Sequence, residues 1–296
     1  MTNIDLHMHS MFSDDGEFTP QEIVSRCVAR GLTLAAITDH NSARANPEAL
    51  EAAASTDLKI LPGIELDCTH DGRNFHLLGY GIDYTRPEYA EVEKDILHQE
   101  QMAGEEKIKL FSSATGIPLP FSQIMAAAVD GVVTGELVAE ILLAQEDASQ
   151  YEILRPYLPG GAKSDMPYVR FYWDFFSEGK PAYVPIRYLS LADAVKLIHS
   201  TGGIAVLAHP GQNLVDDTGM LPGIIAQGID GLEAFSSYHD RETAEFYLEA
   251  ARQNHLIVTC GSDYHGKTKP QICLGGHNAS LSDEDILSGL RSLGLL

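Results

Sequence analysis

The sequence predicts an α/β fold built from parallel βαβ units. Three observations point to it. Short apolar strand-like runs alternate with amphipathic helical stretches in the first and last thirds of the chain. His, Asp and Glu recur where those strands end, on the face where barrel enzymes carry their chemistry. With 296 residues, 44% of them hydrophobic, the chain can bury one large α/β barrel or two smaller domains.

The first strand, Ile4-Asp5-Leu6, runs out into His7-Met8-His9. Residues two apart in an extended segment share a face, so both imidazoles aim at one point, which suits a metal ion. Alone, a His-x-His pair is as readily two surface histidines. The remaining strand ends decide its meaning. After a polar loop, Thr19 as N-cap, Pro20 at N1 and Glu22 at N3 form a capping box. The helix they open presents Ile23, Cys27 and Val28 on one face and closes at Gly31. A strand over 34–38 then stops at Asp39-His40, and a helix covers 47–54. A strand over 59–62 leads to Gly63-Ile64-Glu65, and another over 75–80 carries His76 at its start.

From 87 to 180 the strand signals fade. Helices are predicted over 91–113, 121–128 and 134–144, followed by a turn-rich loop over 155–161 and an aromatic stretch over 168–176 that holds Trp173. This segment reads as a helical insertion capping the barrel mouth, which divides the barrel into residues 1–86 and 181–296. Its aromatics suit the packing of such a cap better than a stacking platform for substrate. Alternation then resumes. Ser190 and Asp193 form a capping box before a helix reaching Ser200. A strand over 203–208 ends at His209-Pro210-Gly211, and one over 231–235 ends near Ser236, Ser237 and His239. After a helix over 240–254, a strand over 256–260 runs into Gly261-Ser262-Asp263-Tyr264-His265. Ser282, with Asp285 at N3, starts the last helix.

Composition narrows the function classes. The formal net charge is −22. So acidic a surface repels a long polyanion and argues against a nucleic acid polymer as partner. A small anionic substrate is compatible where metal ions neutralise it locally. No run of 18 apolar residues is present, and the N-terminus enters the first strand without a signal-peptide pattern. A cytoplasmic protein with no membrane partner is therefore expected. Cys27, Cys68, Cys260 and Cys273 form no Cys-x-x-Cys motif and suggest no disulfide framework.

The candidate metal ligands are His7, His9, Asp14 or Asp15, His40, Glu65, His76, His209, Asp263 and His265. One ion takes four to six donors, so a set this large suits two or three divalent ions, with Glu65 as the bridging carboxylate. All donors are N or O, which favours Mn, Zn or Fe over a soft-metal site. Two ions about 3.5–4 Å apart can clamp a phosphoryl group and lower the pKa of a bridging water.

These residues stand in motifs that resemble those of the PHP (polymerase and histidinol phosphatase) family: His7-x-His9, Thr38-Asp39-His40, Gly63-Ile64-Glu65, His76, Ala208-His209-Pro210-Gly211 and Gly261-Ser262-Asp263-x-His265. The resemblance implies a distorted (β/α)7 barrel with a trinuclear centre and, among the metals, Mn before Zn or Fe. One ion would take His7, His9, Glu65 and Asp263. A second would share Glu65 and add His76, and a third would take the loop aspartate, His40 and His265. His209 would be a ligand or an acid–base partner. Here the loop, Ser13-Asp14-Asp15-Gly16, is one residue longer than the family's Ser-Asp-Gly. Counting from His9 favours Asp14 and counting back from Gly16 favours Asp15; Asp14 is the expected ligand.

Within the family, the chain is similar to stand-alone bacterial phosphoesterases that include 3′,5′-nucleoside bisphosphate phosphatases and phosphoribosyl cyclic phosphodiesterases. The former carry an Arg-x-His-Phe-Ala-Arg-like phosphate-holding segment where this chain has Val133-Thr134-Gly135-Glu136-Leu137-Val138-Ala139-Glu140. Glu136 would repel a second phosphate unless it serves as a metal ligand. The expected substrate is therefore a ribose cyclic phosphate, a small phosphorylated metabolite, with both ester bonds hydrolysed in sequence by metal-hydroxide attack on phosphorus. Glu65, Asp263 and His209 are the expected catalytic residues. Lys180, Arg170 and Arg187 are the expected phosphate binders, since they flank the point where the insertion rejoins the barrel. The alternative substrate is a 3′,5′-nucleoside bisphosphate or another phosphomonoester. A C–N amidohydrolase fits less well, because no lysine stands at a matching strand end. A non-catalytic metal-binding module fits less well too, because nearly every ligand is kept.

Overall fold

In the computed structural model, which describes residues 2–296, β1 (Ile4–Asp5) leads through a loop to α1 (Pro20–Arg30). Thr19 and Glu22 exchange both bonds of the capping box, and Gly31 closes the helix in the left-handed region at φ 80°. β2 (Leu34–Ala35), α2 (Ala45–Ala53) and β3 (Lys59–Ile60) follow. β1, β2 and β3 pair in parallel as a three-stranded sheet.

The next pair departs from the expected uniform βαβ alternation. β4 (Gly63–His70) and β5 (Arg73–Tyr80) form an antiparallel hairpin. It turns at Asp71-Gly72, both at positive φ, as a tight hairpin connection requires. β5 is also antiparallel to the strand on its other side, and His76 lies within β5 rather than at its start.

Four α-helices and no strand follow: α3 (Pro87–Thr115), α4 (Phe121–Ala127), α5 (Gly135–Leu143) and α6 (Pro167–Phe175). They close over an apolar cluster of their own that includes Phe111, Ile124, Val138, Leu154 and Phe171, all fully buried. Phe171 packs on Phe175 with ring centroids 4.7 Å apart. Phe171, Phe175 and Phe176 of the aromatic stretch are core, whereas Tyr168, Tyr172 and Trp173 are half-buried.

β6 (Leu189–Ser190), α7 (Leu191–Ser200), β7 (Ile204–Leu207), α8 (Pro210–Asn213), α9 (Leu221–Ile225), β8 (Gly231–Ser236), α10 (Arg241–Gln253), β9 (Ile257–Gly261) and α11 (Asp283–Ser292) complete the chain. At α7 only half of the expected capping box forms. Ser190 Oγ accepts from the Asp193 N–H, and the Asp193 carboxylate is bonded to the same hydroxyl. Ser282 and Asp285 form the full box at α11.

The second sheet is mixed, in the order β6-β4-β5-β7-β8-β9. Backbone bonds join the two sheets beyond their strand ends. Leu6 N–H donates to Cys260 O at 3.0 Å, and Met8 pairs with Tyr264. On the other side the Glu65 N–H donates to Asp39 O, and His40 pairs with Glu65. The fold is therefore mixed α/β with two linked sheets, and the ladders do not form one continuous ring. Ile4, Leu6, Ile64, Leu66, Val206 and Leu207 are fully buried between strands and helices. Each such side chain contributes roughly 1.5–3 kcal/mol of burial, which fixes the strand ends that carry the polar residues. Among the described residues no helix is long and apolar enough to cross a membrane.

Candidate metal centre

The inter-sheet bonds are what gather the site. β1 and β9 run on side by side beyond their ladders. The Asp263 N–H donates to His7 O at 2.8 Å and the His9 N–H to Tyr264 O at 2.9 Å. His7 and His9 thus face Asp263 and His265. Beyond β2, the Glu65 N–H donates to Asp39 O and the Asn41 N–H to Glu65 O, which sets His40 beside Glu65. Across the hairpin Asp67 is opposite His76, and the Ala208 N–H donates to His76 O, bringing His209 alongside.

Glu65 is the centre of the arrangement. Its Oε2 lies 3.0 Å from His7 Nε2 and 3.1 Å from His9 Nε2, and its Oε1 lies 3.1 Å from His76 Nδ1 and 3.3 Å from His209 Nε2. Four overlapping donor sets result: His7-His9-Glu65-Asp263, Glu65-His76-His209, His9-Asp15-His40-His265 and His40-Asp67-His76.

The imidazoles are anchored from behind. His7 Nδ1 donates to Glu233 Oε1 at 3.0 Å, His209 Nδ1 to Asn213 Oδ1 at 2.8 Å, and His265 Nδ1 to Asp263 O at 2.9 Å; His9 Nδ1 is bonded to Ser13 Oγ at 2.9 Å. Each bond holds one ring nitrogen and leaves Nε2 for the cluster, the usual arrangement behind a metal-ligating histidine. Backbone strain sits here too. His209 (φ 24°) and Asp263 (φ 58°) occupy positive φ as non-glycine residues, held by the His209 N–H on Glu233 Oε2 and the Asp263 N–H on His7 O. A Cβ at Gly261 would come within 2.2 Å of His7 Cβ, so only glycine lets β9 approach His7 this closely.

Electrostatics bind the cluster into one unit. Burial would raise Glu65 and Asp263, yet both are held well below the carboxylate range, Glu65 by His7, His40 and His76, and Asp263 by Lys269, His265 and His7. Burial would lower His7 and His40, yet both are raised well above the ordinary imidazole value. Glu65, Glu233 and Asp263 outweigh it at His7, and Glu65, Asp67 and Asp15 at His40. His9 goes the other way, down to about 4, through burial and its neighbours His265 and His40.

The structure brings together His7, His9, His40, Glu65, His76, His209, Asp263 and His265 of the expected set. It does not bring Asp14 in. Asp15 takes the place expected of Asp14, with Oδ2 3.1 Å from His265 Nε2. Burial would raise Asp15, but His265 and His40 hold it low, whereas burial, Asp15 and Glu100 raise Asp14.

Four contributors escaped the sequence. Asp67 lies two residues beyond Glu65 on the same face of β4. Glu233 is a fully buried carboxylate inside an otherwise apolar strand. Lys269 Nζ sits 2.6 Å from Asp263 Oδ2, and Tyr238 donates to the same oxygen. An acidic residue in a strand of apolar neighbours was the available signal for the first two. Lys269 and Tyr238 carried none.

A cavity of about 280 Å³ opens over the cluster. Asp14, Asp15, His40, Asp67 and His76 line its floor, and Lys107, Glu136, Tyr172, Trp173 and Phe176 from the helical segment line its other side. Lys180, Arg170 and Arg187 do not line it. Lys180 and Arg187 are exposed, and Arg170 is paired with Asp165 at 2.6 Å. The cations that do line the cavity are Arg44, Lys107 and Lys269.

The donor set fits divalent ions. Asp15 Oδ1, His40 Nδ1 and His265 Nε2 are buried without a hydrogen-bond partner, which native proteins rarely tolerate, and all three residues converge in one donor set. A cation among them satisfies all three. His and carboxylate donors at the ends of strands in a mixed α/β fold make up a centre for divalent ions of the kind that metal-dependent hydrolases carry.

Comparison with known proteins gives the family. The PHP domain matches residues 5–152. The 3′,5′-nucleoside bisphosphate phosphatase of Chromobacterium violaceum is 32% identical over 269 residues, 90% of this chain and 88% of that protein. The 5′-3′ exoribonuclease Rnm of Salmonella typhimurium is 28% identical, covering 92% of this chain and 87% of the relative. The phosphoribosyl 1,2-cyclic phosphate 1,2-diphosphodiesterase of Eggerthella lenta is 28% identical, covering 89% and 94%. Among solved structures, a Bifidobacterium adolescentis protein provisionally named a metal-dependent phosphoesterase superposes with a TM-score of 0.76 at 26% identity, over 97% of this chain and 95% of that one. A Chromobacterium violaceum protein named an amidohydrolase, solved with bound sulfate, gives 0.75 at 30% identity, over 89% and 88%. The chain belongs to the PHP family and is a metal-dependent phosphoesterase.

Proposed function

We propose that this phosphoesterase acts on a small metabolite presenting one phosphoryl group, with a ribose cyclic phosphate as the best candidate. The observation that carries this reading is the state of the cavity's cations. Arg44 is paired with Glu93 at 2.6 Å, Lys107 with Glu100, and Lys269 with Asp263 at 2.6 Å. Carboxylates lining the cavity outnumber these cations seven to three. Positive charge for a phosphoryl group therefore comes from the metal centre, and no second cationic pocket stands ready for a second phosphate.

On this reading His7, His9, His40, Glu65, His76, Asp15, Asp263 and His265 hold two or three divalent ions, Mn first, with Zn or Fe as alternatives. Bound ions supply Lewis acidity, which activates water and neutralises charge on the phosphoryl oxygens. Glu65 spans two donor sets and keeps them in register. Lys269 and Tyr238 fix Asp263 through Oδ2, so that Oδ1 faces His7 and His9. His209, held at Nδ1 by Asn213, turns Nε2 toward the cluster, 3.3 Å from Glu65 Oε1, where it serves as a ligand or as the acid–base partner of the leaving oxygen. Residues 87–180 act as a cap that excludes water, since their side chains close one side of the cavity. The linked sheets act as a distorted (β/α)7 barrel in two parts, 1–86 and 181–296, in support of which the inter-sheet bonds join β1 to β9 and β2 to β4.

A second reading has its own support. Relatives named 5′-3′ exoribonucleases match at 28–29% identity, and Phe12, Tyr172 and Trp173 offer aromatic surface in the cavity on which a base can stack. The expectation that no nucleic acid polymer is a partner is thus not backed by these relatives. Phosphate release by Mn-loaded protein from a ribose cyclic phosphate, adenosine 3′,5′-bisphosphate and a 5′-phosphorylated RNA oligomer separates the readings. The first predicts the largest kcat/KM for the cyclic phosphate. A larger value for the oligomer or the bisphosphate overturns it.

A further inference from the structure

The wall of the cavity carries a carboxylate that no other residue's polar group bonds. Glu136 stands in the first turn of α5, only 9% exposed, and lines the cavity with Gly135 and Thr134. It belongs to none of the four donor sets. Apart from its own backbone N–H, no polar group of the described residues bonds its side chain. Lys107 and Lys269 are already engaged by Glu100 and Asp263. Burial, with Asp15 and Asp14 nearby, raises its pKa to about 8.

A buried polar group normally has a partner. Here the protein supplies only the residue's own backbone N–H and the side chain lines open cavity, so a further partner arrives with the ligand. We infer that Glu136 is a specificity-determining residue that binds a hydroxyl or other hydrogen-bond donor of the substrate and rejects a second anionic group at that position. The inference rests on the single-phosphoryl reading above and adds what the rest of the substrate must present. A sugar hydroxyl satisfies Glu136, whether the carboxyl is ionised or protonated. A phosphate brings only acceptors and negative charge toward Glu136, Asp14 and Asp15. The donor cluster holds the phosphoryl end, and Glu136, on the cavity wall near Asp15 and Asp14, sets which group of the substrate can stand beside it.

The test compares wild type with Glu136→Gln and Glu136→Lys, each loaded with Mn. Calorimetry measures the Kd of adenosine 3′-monophosphate and of adenosine 3′,5′-bisphosphate, and metal content verifies that each variant is intact. Wild type is expected to favour the monophosphate. Glu136→Gln should move the Kd ratio toward the bisphosphate by about tenfold, and Glu136→Lys should move it further. If the lysine variant fails to fold, the near-isosteric glutamine variant decides alone. A wild-type preference for the bisphosphate overturns the single-phosphoryl reading and the inference with it, whereas a wild-type preference for the monophosphate with a ratio within twofold of wild type in the folded variants overturns the role of Glu136 alone. Phosphate release from p-nitrophenyl phosphate by the same wild-type sample checks phosphoesterase activity separately, so a failure there is distinguishable from a failure of the binding ratio.

Discussion

Asp15 Oδ2 lies 3.1 Å from His265 Nε2, and through that contact the loop after β1 joins the donor set of His9, His40 and His265. Asp14, one residue earlier, lines the same cavity outside any donor set. Asp15→Asn should therefore lower metal occupancy and cut phosphate release by about 100-fold or more, beyond what loss of an outer-sphere partner costs. Asp14→Asn should leave metal occupancy intact. Elemental analysis of the two purified variants side by side distinguishes them.

Glu233 orients His7 through Nδ1 and holds the strained backbone of His209 through its N–H. Glu233→Gln keeps the volume but weakens the grip on both, and metal affinity should fall roughly 10–100-fold. Gly261→Ala reaches the same pair sterically, because the new Cβ would meet His7 Cβ at 2.2 Å and Glu233 Oε1 at 2.5 Å. It should weaken metal binding as well. Metal titration monitored by calorimetry reads both.

The helical segment has a core of its own, and Phe171 lies at its centre with no exposure. Phe171→Ala should destabilise the protein by about 3–5 kcal/mol. Because Phe171 packs within the helical segment's own core, on Phe111, Tyr157, Phe175 and Phe176, the affinity of the folded variant for metal should stay near that of wild type. Chemical denaturation and metal titration of one preparation test the two halves of this statement.

Much of this was legible in the sequence because it is local. Thr19, Pro20 and Glu22 cap α1 within four residues, and the His-x-His and Asp-x-His pairs sit where strand periodicity ends. What the sequence withheld is set by contacts distant in the chain. The direction of β5 depends on its neighbours β4 and β7, although Asp71-Gly72 was a readable hairpin signal. The choice of Asp15 over Asp14 depends on where His265 arrives, 250 residues later in the chain. Lys180, Arg170 and Arg187 were singled out by proximity in sequence to the end of the helical segment. Lys180 and Arg187 remain on the surface, and Arg170 is engaged by Asp165.

Metal affinity should depend on pH with a definite sign. His7 and His40 are raised in the metal-free fold, so their protonation stabilises that fold below the ordinary imidazole pKa of about 6.5. This stabilisation is lost as pH rises through the raised values. Glu65 and Asp263 are lowered, so their contribution is present above the ordinary carboxylate pKa of about 4 and is lost as pH falls through the lowered values. Metal must displace the protons on His7 and His40. Affinity should therefore climb with pH until both are neutral and then level off. Binding constants measured from pH 5 to 9 check the slope, and a flat profile would count against histidine ligation.

Glu65 carries the central claim, since both of its oxygens face histidines and it alone joins the His7-His9-Asp263 set to the His76-His209 set. The most direct measurement is metal stoichiometry and phosphate release from p-nitrophenyl phosphate for wild type and Glu65→Gln, each dialysed against Mn. Wild type is expected to hold two or three ions and hydrolyse the ester, and Glu65→Gln to lose at least one ion and about 1,000-fold or more in kcat/KM, as expected when a bridging charge at a two-metal centre is removed. Full occupancy and near wild-type hydrolysis in Glu65→Gln would contradict the account.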